Sequence, residues 1–317
     1  MDEAALHRWQ LVLGWLGENP GRDVLVCCTH ATPLPTGRTP ARTPEVLEAV
    51  HPVIVRLEGC ANDVPPWALV DLAIAGGATV LVDTGTCMAP DVAALERLET
   101  LTGARVRRGA IGAEPPAVTL SLAHPPVSRR ALLRRHDETG VPVAVAHVVD
   151  DPAQRLVESL RALGAGGGAG GAAGLSRQAS PATRLEVSGC IACGVCVRAC
   201  PHDALELRTA SGTSTLVQHP DRCQGDLACV THCPSDAVTA AGTLDWGVVL
   251  AGRPLPLARL ATTACSRCGD RIPDGRTLCE ACARREAEPF GWHVPEHLRD
   301  KLSPEWQRKL RGRAGMN

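Results

Sequence analysis

The sequence predicts a multidomain protein of mixed class: an α/β domain with a parallel sheet, then smaller α+β units built around metal-bound cysteines. Three observations predict it. Residues 1–163 alternate Val-rich apolar runs with helical stretches. Cysteines fall into two tight groups, one from Cys190 to Cys233 and one from Cys265 to Cys282. Between the first domain and those groups lies a Gly-, Ala- and Ser-rich stretch, 164–182.

In the first domain Leu6, Trp9, Leu13 and Leu16 recur at helical spacing, so an amphipathic helix opens it. Short apolar runs follow at 23–28, 53–57, 79–82, 104–107 and 141–149, many bounded by Gly, Pro or Asp as buried parallel strands are. Helical stretches at 66–75, 91–101 and 152–163 alternate with them, which predicts a doubly wound sheet. Gly166–Gly171 matches G-x-G-x-x-G. A dinucleotide site needs a strand before that motif and a helix after it, and here a helix precedes and loop-like sequence follows. The stretch is therefore a linker, and a linker of this composition implies modules that swing independently.

Past the linker, 184–187 and 204–207 are strand candidates around the first cysteine group, and 216–218 and 237–240 frame the second half of it. The ordering unit is then 183–242, with 243–262 as connector and 263–317 as a cysteine-bearing unit with a helical tail. Ser303 caps the last helix, with Pro304 at its first position. Leu298, Leu302, Trp306 and Leu310 fall at steps of four along that tail, giving it one apolar face.

Composition excludes several classes. The 317 residues are 44% apolar and 21% charged with a net charge of −1, so neither disorder nor a global field for nucleic acid or anionic membrane is indicated. No run reaches the roughly 18 apolar residues of a membrane-spanning helix. Met1 is followed by Asp2 and Glu3 rather than a basic leader, which points to the cytoplasm. In that reducing compartment, 15 cysteines argue for metal ligation over disulfides. No P-loop, nucleophile elbow or HExxH is present in the sequence, so no catalytic residues are assigned.

The strongest motif is Cys190-x2-Cys193-x2-Cys196-x3-Cys200-Pro201. Three cysteines on a tight loop reach three corners of one iron–sulfur cube, and the fourth, followed by Pro, is turned toward another cluster. The pattern resembles bacterial-type two-cluster ferredoxins over about 183–242. That resemblance implies a second copy, which is present as Cys223-x2-Asp226-x2-Cys229-x3-Cys233-Pro234, with Asp226 where the family usually has cysteine. Carried over residue by residue, the family pattern assigns Cys190, Cys193, Cys196 and Cys233 to a 4Fe–4S cluster. It assigns Cys200, Cys223 and Cys229 to a second, with Asp226 at the remaining corner. A carboxylate is a harder and weaker ligand than a thiolate here. The second site is therefore either 4Fe–4S with a labile iron or 3Fe–4S with Asp226 facing solvent.

Cys27, Cys28, Cys60 and Cys87 lie near the ends of predicted strands, where loops of a parallel sheet converge on a crevice. The stretches VIVRLEGC (53–60) and VPPWALVDLAIAGGATVLVDTGTC (64–87) resemble the delta subunit of methyl-viologen-reducing hydrogenase. The resemblance implies a flavodoxin-like electron-transfer domain holding a 2Fe–2S cluster and serving hydrogenase and heterodisulfide-reductase complexes. Cys60 falls on that family's strand-end cysteine and Cys27 on its first-strand cysteine. His30 stands where the family has another cysteine, and Cys87 lies near its third-strand cysteines outside their full spacing.

Cys265-x2-Cys268 and Cys279-x2-Cys282 flank a turn containing Pro273, Asp274 and Gly275. Two such pairs make a four-sulfur site of the structural zinc type, with a rubredoxin-like single iron as the alternative. The unit resembles zinc-ribbon or treble-clef modules. Its tail has a modest basic excess, but the chain has no Tyr and one Phe, so stacking platforms for nucleic acid are scarce. Together these readings describe an electron-transfer protein or subunit whose partner is a hydrogenase, reductase or dehydrogenase complex. A redox- or iron-responsive regulator, with the Asp226 site as sensor and the zinc unit as output, is the alternative.

Overall fold

A computed structural model of the chain describes residues 3–28, 52–76, 78–83, 92–109, 118–125, 151–165, 178–287 and 303–307. The Val-rich runs form strands β1 (Val24–Cys27), β2 (Val53–Arg56), β3 (Val80–Asp83) and β4 (Val106–Arg108), and a fifth, β5 (Val118–Ser121), joins them. All pairings are parallel, in the order β4-β3-β1-β2-β5. The first four strands have the order 2-1-3-4 of flavodoxin-like sheets, whereas β5 adds outside β2 rather than beyond β4. The strand expected at 141–149, the linker motif Gly166–Gly171 and the tail residues Leu298, Leu302 and Leu310 lie outside the described residues.

Helices α1 (Glu3–Glu18), α2 (Pro66–Gly76), α3 (Val92–Leu101) and α4 (Pro152–Ala165) accompany the sheet. Helix α2 is apolar almost all round, and nine of its residues are buried, as a central layer requires. Its Asp71 is fully buried and accepts a hydrogen bond from Ser159 Oγ of α4 at 2.7 Å. That bond satisfies a carboxylate whose isolated burial would cost several kcal/mol. On α4, Arg155 also stacks over the Trp67 ring, 5.1 Å from its centroid.

The second half begins with β6 (Ala179–Val187), which pairs antiparallel with β9 (Val238–Asp245). Strand β6 opens inside the stretch expected to be linker. Between β6 and β9 lie α5 (Val195–Ala199), the hairpin β7 (Leu205–Ala210) and β8 (Thr213–Gln218), and α6 (Ala228–Thr231). The expected connector is itself structured, as α7 (Trp246–Ala251) and β10 (Leu255–Ala264). Strand β10 pairs with β8 on one side and β11 (Arg271–Pro273) on the other, so the last cysteine unit grows from the same antiparallel sheet. Helix α8 (Glu280–Ala287) completes it.

The two halves do not swing freely. Ala182, Leu244, Trp246 and Val249 belong to the same apolar core as Val157 and Leu160 of α4 and the α1–α2 layer. Arg161 of α4 donates from Nε to the Leu250 carbonyl at 2.8 Å and from Nη2 to the Val249 carbonyl at 3.0 Å. These carbonyls lie in the last turn of α7, where the Val249 carbonyl also accepts the Gly252 N–H at 3.1 Å. The same Nη2 lies 3.3 Å from Asp221 Oδ2.

Candidate metal centres

Residues 190–203 and 223–236 repeat one backbone path. Ala192, Gly194 and Asp203 take positive φ in the first copy (58°, 68° and 50°), and Gly225, Leu227 and Asp236 in the second (81°, 58° and 49°). Left-handed residues at matched points let each short loop curl its sulfurs inward before a helix begins. Gly194 and Leu227 are the N-caps of α5 and α6. Gly225 has no alternative, because a Cβ there would meet the Pro181 carbonyl oxygen at 2.6 Å.

The thiols of the two copies influence one another. Burial first, and then the charges of Cys190, Cys193 and Cys233, push the Cys196 thiol up to about 11. Cys190 is raised by burial, which outweighs the Ala192 N–H bond, and Cys193 and Cys233 add to the rise. Cys229 is raised by burial and then by Cys223 and Cys200. The fourth cysteine of each copy thus acts on the thiols of the other copy. Thiols that raise one another's titration lose that mutual opposition on binding a cationic iron–sulfur core.

Backbone amides also point at these sulfurs. Ala192 N–H donates to Cys190 Sγ at 3.4 Å, Ala204 N–H to Cys200 Sγ at 3.4 Å and Ala237 N–H to Cys233 Sγ at 3.3 Å. Burial opposes the Cys233 thiolate, but hydrogen bonds from Ser235, Ala237 and Val238 outweigh it and lower its titration. Bonds of this kind are among the factors that set a cluster's potential.

Asp226 is turned onto a side chain that sequence reasoning missed. Its Oδ2 lies 2.8 Å from Nε2 of His202, and Nδ1 of His202 lies 3.2 Å from Asp151 Oδ2. Gln224 Nε2 is 2.8 Å from the same Asp151 oxygen and 3.0 Å from His202 Nδ1. Asp151 in turn accepts the N–H groups of Ala153 and Gln154 at the start of α4, at 2.8 and 3.1 Å. Burial works against its charge, but those amides, His202 and Gln224 bring its carboxyl below the usual value. The only hint in the sequence was a histidine directly after Cys200-Pro201.

In the parallel sheet, Cys27 and Cys28 go to opposite faces. Cys28 joins the main core with Leu57 and Ala61, while Cys27 sits with Leu25, Ile54 and Leu81 on the other side. Burial, with Asp83 adding to it, pushes the Cys27 thiol up to about 12. Cys60 is half-buried at the start of the turn Ala61–Asp63. Cys87 and His30 lie outside the described residues.

In the last unit, Cys265, Cys268, Cys279 and Cys282 bring their Sγ atoms within 4.8 Å of one another. The first pair sits on a knuckle closed by Cys265 N–H to the Asp270 carbonyl (2.8 Å) and Gly269 N–H to the Cys265 carbonyl (2.9 Å), at the turn between β10 and β11. The second enters α8, with Cys279 N–H bonded to Cys265 Sγ (3.3 Å) and Cys282 N–H to Cys279 Sγ (3.4 Å). Amides of Cys268 and Cys279 lead in lowering Cys265 to about 6. Cys268 gains from the Asp270 N–H, but desolvation and the three neighbouring sulfurs push it up to about 12. Four sulfurs this close favour one or two charges and resist the rest, and a divalent cation removes that resistance.

Residues 189–237 match the 4Fe–4S dicluster domain family. The chain is 46% identical over 52 residues to a "Ferredoxin" of Pyrobaculum islandicum, covering 16% of this chain and 46% of that protein. It is 40% identical over 58 residues to the "Ferredoxin-type protein NapG" of Escherichia coli, covering 16% of this chain and 25% of that protein. The chain thus spans under half the length of the first and a quarter of the second. Among the described residues no helix is long and apolar enough to cross a membrane. With its paired loops and this match, segment 189–237 is a bacterial-type ferredoxin domain, an iron–sulfur module of the electron-transfer type.

Proposed function

We propose that the protein is an electron carrier, or the non-catalytic electron-transfer subunit of an oxidoreductase complex, passing single electrons through two clusters. The observation that carries this reading is the loop repeated with one backbone path, each copy ending in Cys-Pro, inside a dicluster-type segment. Cys190, Cys193, Cys196 and Cys233 hold one 4Fe–4S cluster. Cys200, Cys223 and Cys229 hold the second, with Asp226 beside its fourth corner. When bound, the clusters supply reversible one-electron chemistry. The chain contributes the thiolates, the amide donors of Ala192, Ala204 and Ala237, and an apolar wall from Leu185, Leu205, Leu216 and Val238. The difference in ligation gives the two clusters different potentials and a direction to electron flow.

The four sulfurs at Cys265, Cys268, Cys279 and Cys282 hold a structural zinc ion in a treble-clef-like unit, and the hairpin-plus-helix layout supports that reading. The flavodoxin-like sheet serves as a docking platform for a redox protein, the partner class that the ferredoxin-type relatives suggest. Iron, acid-labile sulfide and zinc content, measured on protein purified without oxygen, tests these assignments together. The expected result is about seven or eight irons and about one zinc per chain. About nine or ten irons would add a 2Fe–2S cluster in the N-terminal domain, and four or fewer would overturn the two-cluster reading.

A further inference from the structure

The second cluster site faces a competition that its own ligand spacing does not reveal. Its fourth corner carries a carboxylate rather than a thiolate. Here the carboxylate occupying that position is engaged by an imidazole, Asp226 Oδ2 to His202 Nε2 at 2.8 Å. Behind the ring, Nδ1 faces Asp151 Oδ2 at 3.2 Å and Gln224 Nε2 at 3.0 Å, donating to the carboxylate when protonated and accepting from the amide when not. His202 is only 19% exposed, so this is an anchored partner rather than a loose surface contact, whereas Asp226 is 49% exposed and able to rotate.

We propose that His202 is a positioning residue that withholds Asp226 from the second cluster, so that the site rests as 3Fe–4S and takes a fourth iron only when Asp226 leaves His202. This rests on the two-cluster reading above. The exchange balances without an outside oxidant. Ferrous iron joins the one-electron-reduced, neutral three-iron core to give a four-iron core of charge +2. Asp226 gives up its hydrogen bond to His202 and forms an iron–oxygen bond, and no electron leaves the site. Because Asp151 is also the cap of α4, the arrangement ties iron loading to the helix that anchors the ferredoxin domain on the parallel sheet. A ligand-to-iron bond at one end is set against a hydrogen-bond chain ending on another domain's helix.

The full chain, purified without oxygen and reduced, is titrated with ferrous iron alone while the three-iron electron paramagnetic resonance signal is followed in reoxidised samples. His202→Ala should bind the fourth iron about tenfold more tightly than the parent, the value of one charge-assisted hydrogen bond, with a smaller three-iron signal as purified. His202→Gln, which keeps a donor, should fall between the two. Asp151→Asn preserves the oxygen that caps α4 and should move in the same direction as His202→Ala by a smaller amount. The signal of the first cluster should be unchanged throughout, which separates this effect from loss of fold. Equal iron affinity in His202→Ala and the parent, or weaker binding in the variant, overturns the proposal and leaves the two-cluster reading standing. Iron and sulfide for one cluster only in the parent overturns both.

Discussion

In the C-terminal unit four sulfurs lie within 4.8 Å of one another, whereas in the parallel sheet Cys27 and Cys28, adjacent in sequence, enter two different apolar clusters. The contrast follows from local backbone. A C-x2-C pair on a knuckle or at a helix start keeps both side chains on one side of the chain, because the turn returns it to the same face. Successive residues of a strand point to opposite faces. Thiols on a strand are therefore packing groups first. Support differs as well. Among the described residues the buried core of the C-terminal unit is Cys265, Ile272 and Cys282, a small apolar burial. The parallel sheet rests on a core that includes Trp9, Leu13, Trp67 and Leu72. One region is organised around its clustered sulfurs and the other by its hydrophobic layer.

The largest effect expected from this difference is in Cys282→Ser. With one of four sulfurs replaced, bound zinc should fall from about one per chain to near zero, and the unit should lose its fold because the ion supplies most of its stability. Hydrogen exchange should show amides of 265–287 losing protection while those of β1–β3 keep theirs. Retained protection at 265–287 in the metal-free variant would mean that the small core suffices alone.

A smaller effect of the opposite kind is expected for Leu72→Ala. Leu72 is fully buried in α2, and truncating it leaves a cavity costing about 3 kcal/mol. Chemical denaturation should show this loss in the parallel-sheet transition, with iron and zinc content unchanged. A parallel loss of metal would break the comparison, because it would make the ligand sets depend on the sheet's packing.

How far each region was legible in the sequence follows the same physics. The runs at 23–28, 53–57 and 79–82 announced β1, β2 and β3, because a strand buried on both faces is apolar at every position. β5 went unread: Val118–Ser121 is short, half polar and at the sheet's edge, where burial selects little. The stretch 243–262 read as connector because Pro256 interrupts the β10 pattern, and the pairing with β8 does shift register between Pro256 and Ala258. Motif spacing located the ferredoxin segment, since its cysteines lie on tight local loops that leave a fixed spacing in the sequence. His202 could not be found that way. Its partner Asp151 lies 51 residues away, and contacts of that range are set by how α4 docks rather than by any local pattern.

The smallest expected effect is chemical rather than energetic, and it bears on whether the sheet cysteines are packing groups at all. Burial, reinforced by Asp83, moves the Cys27 thiol from 9.0 to about 12, so between pH 7 and 10 it stays almost wholly protonated. Alkylation proceeds through the thiolate, and at pH 8 a shift of that size lowers the thiolate fraction about a thousandfold. Peptide mapping after iodoacetamide treatment of the native chain should find Cys27 unmodified long after an ordinary thiol reacts. Its rate should rise about tenfold per pH unit across that range, for as long as the fold holds. The slope is the informative quantity. A buried neutral thiol gains reactivity with each unit, whereas a thiolate bound to iron stays protected at every pH until the metal is removed. A flat profile that chelation turns steep would move Cys27 from the packing class to the ligand class and join the two regions compared here.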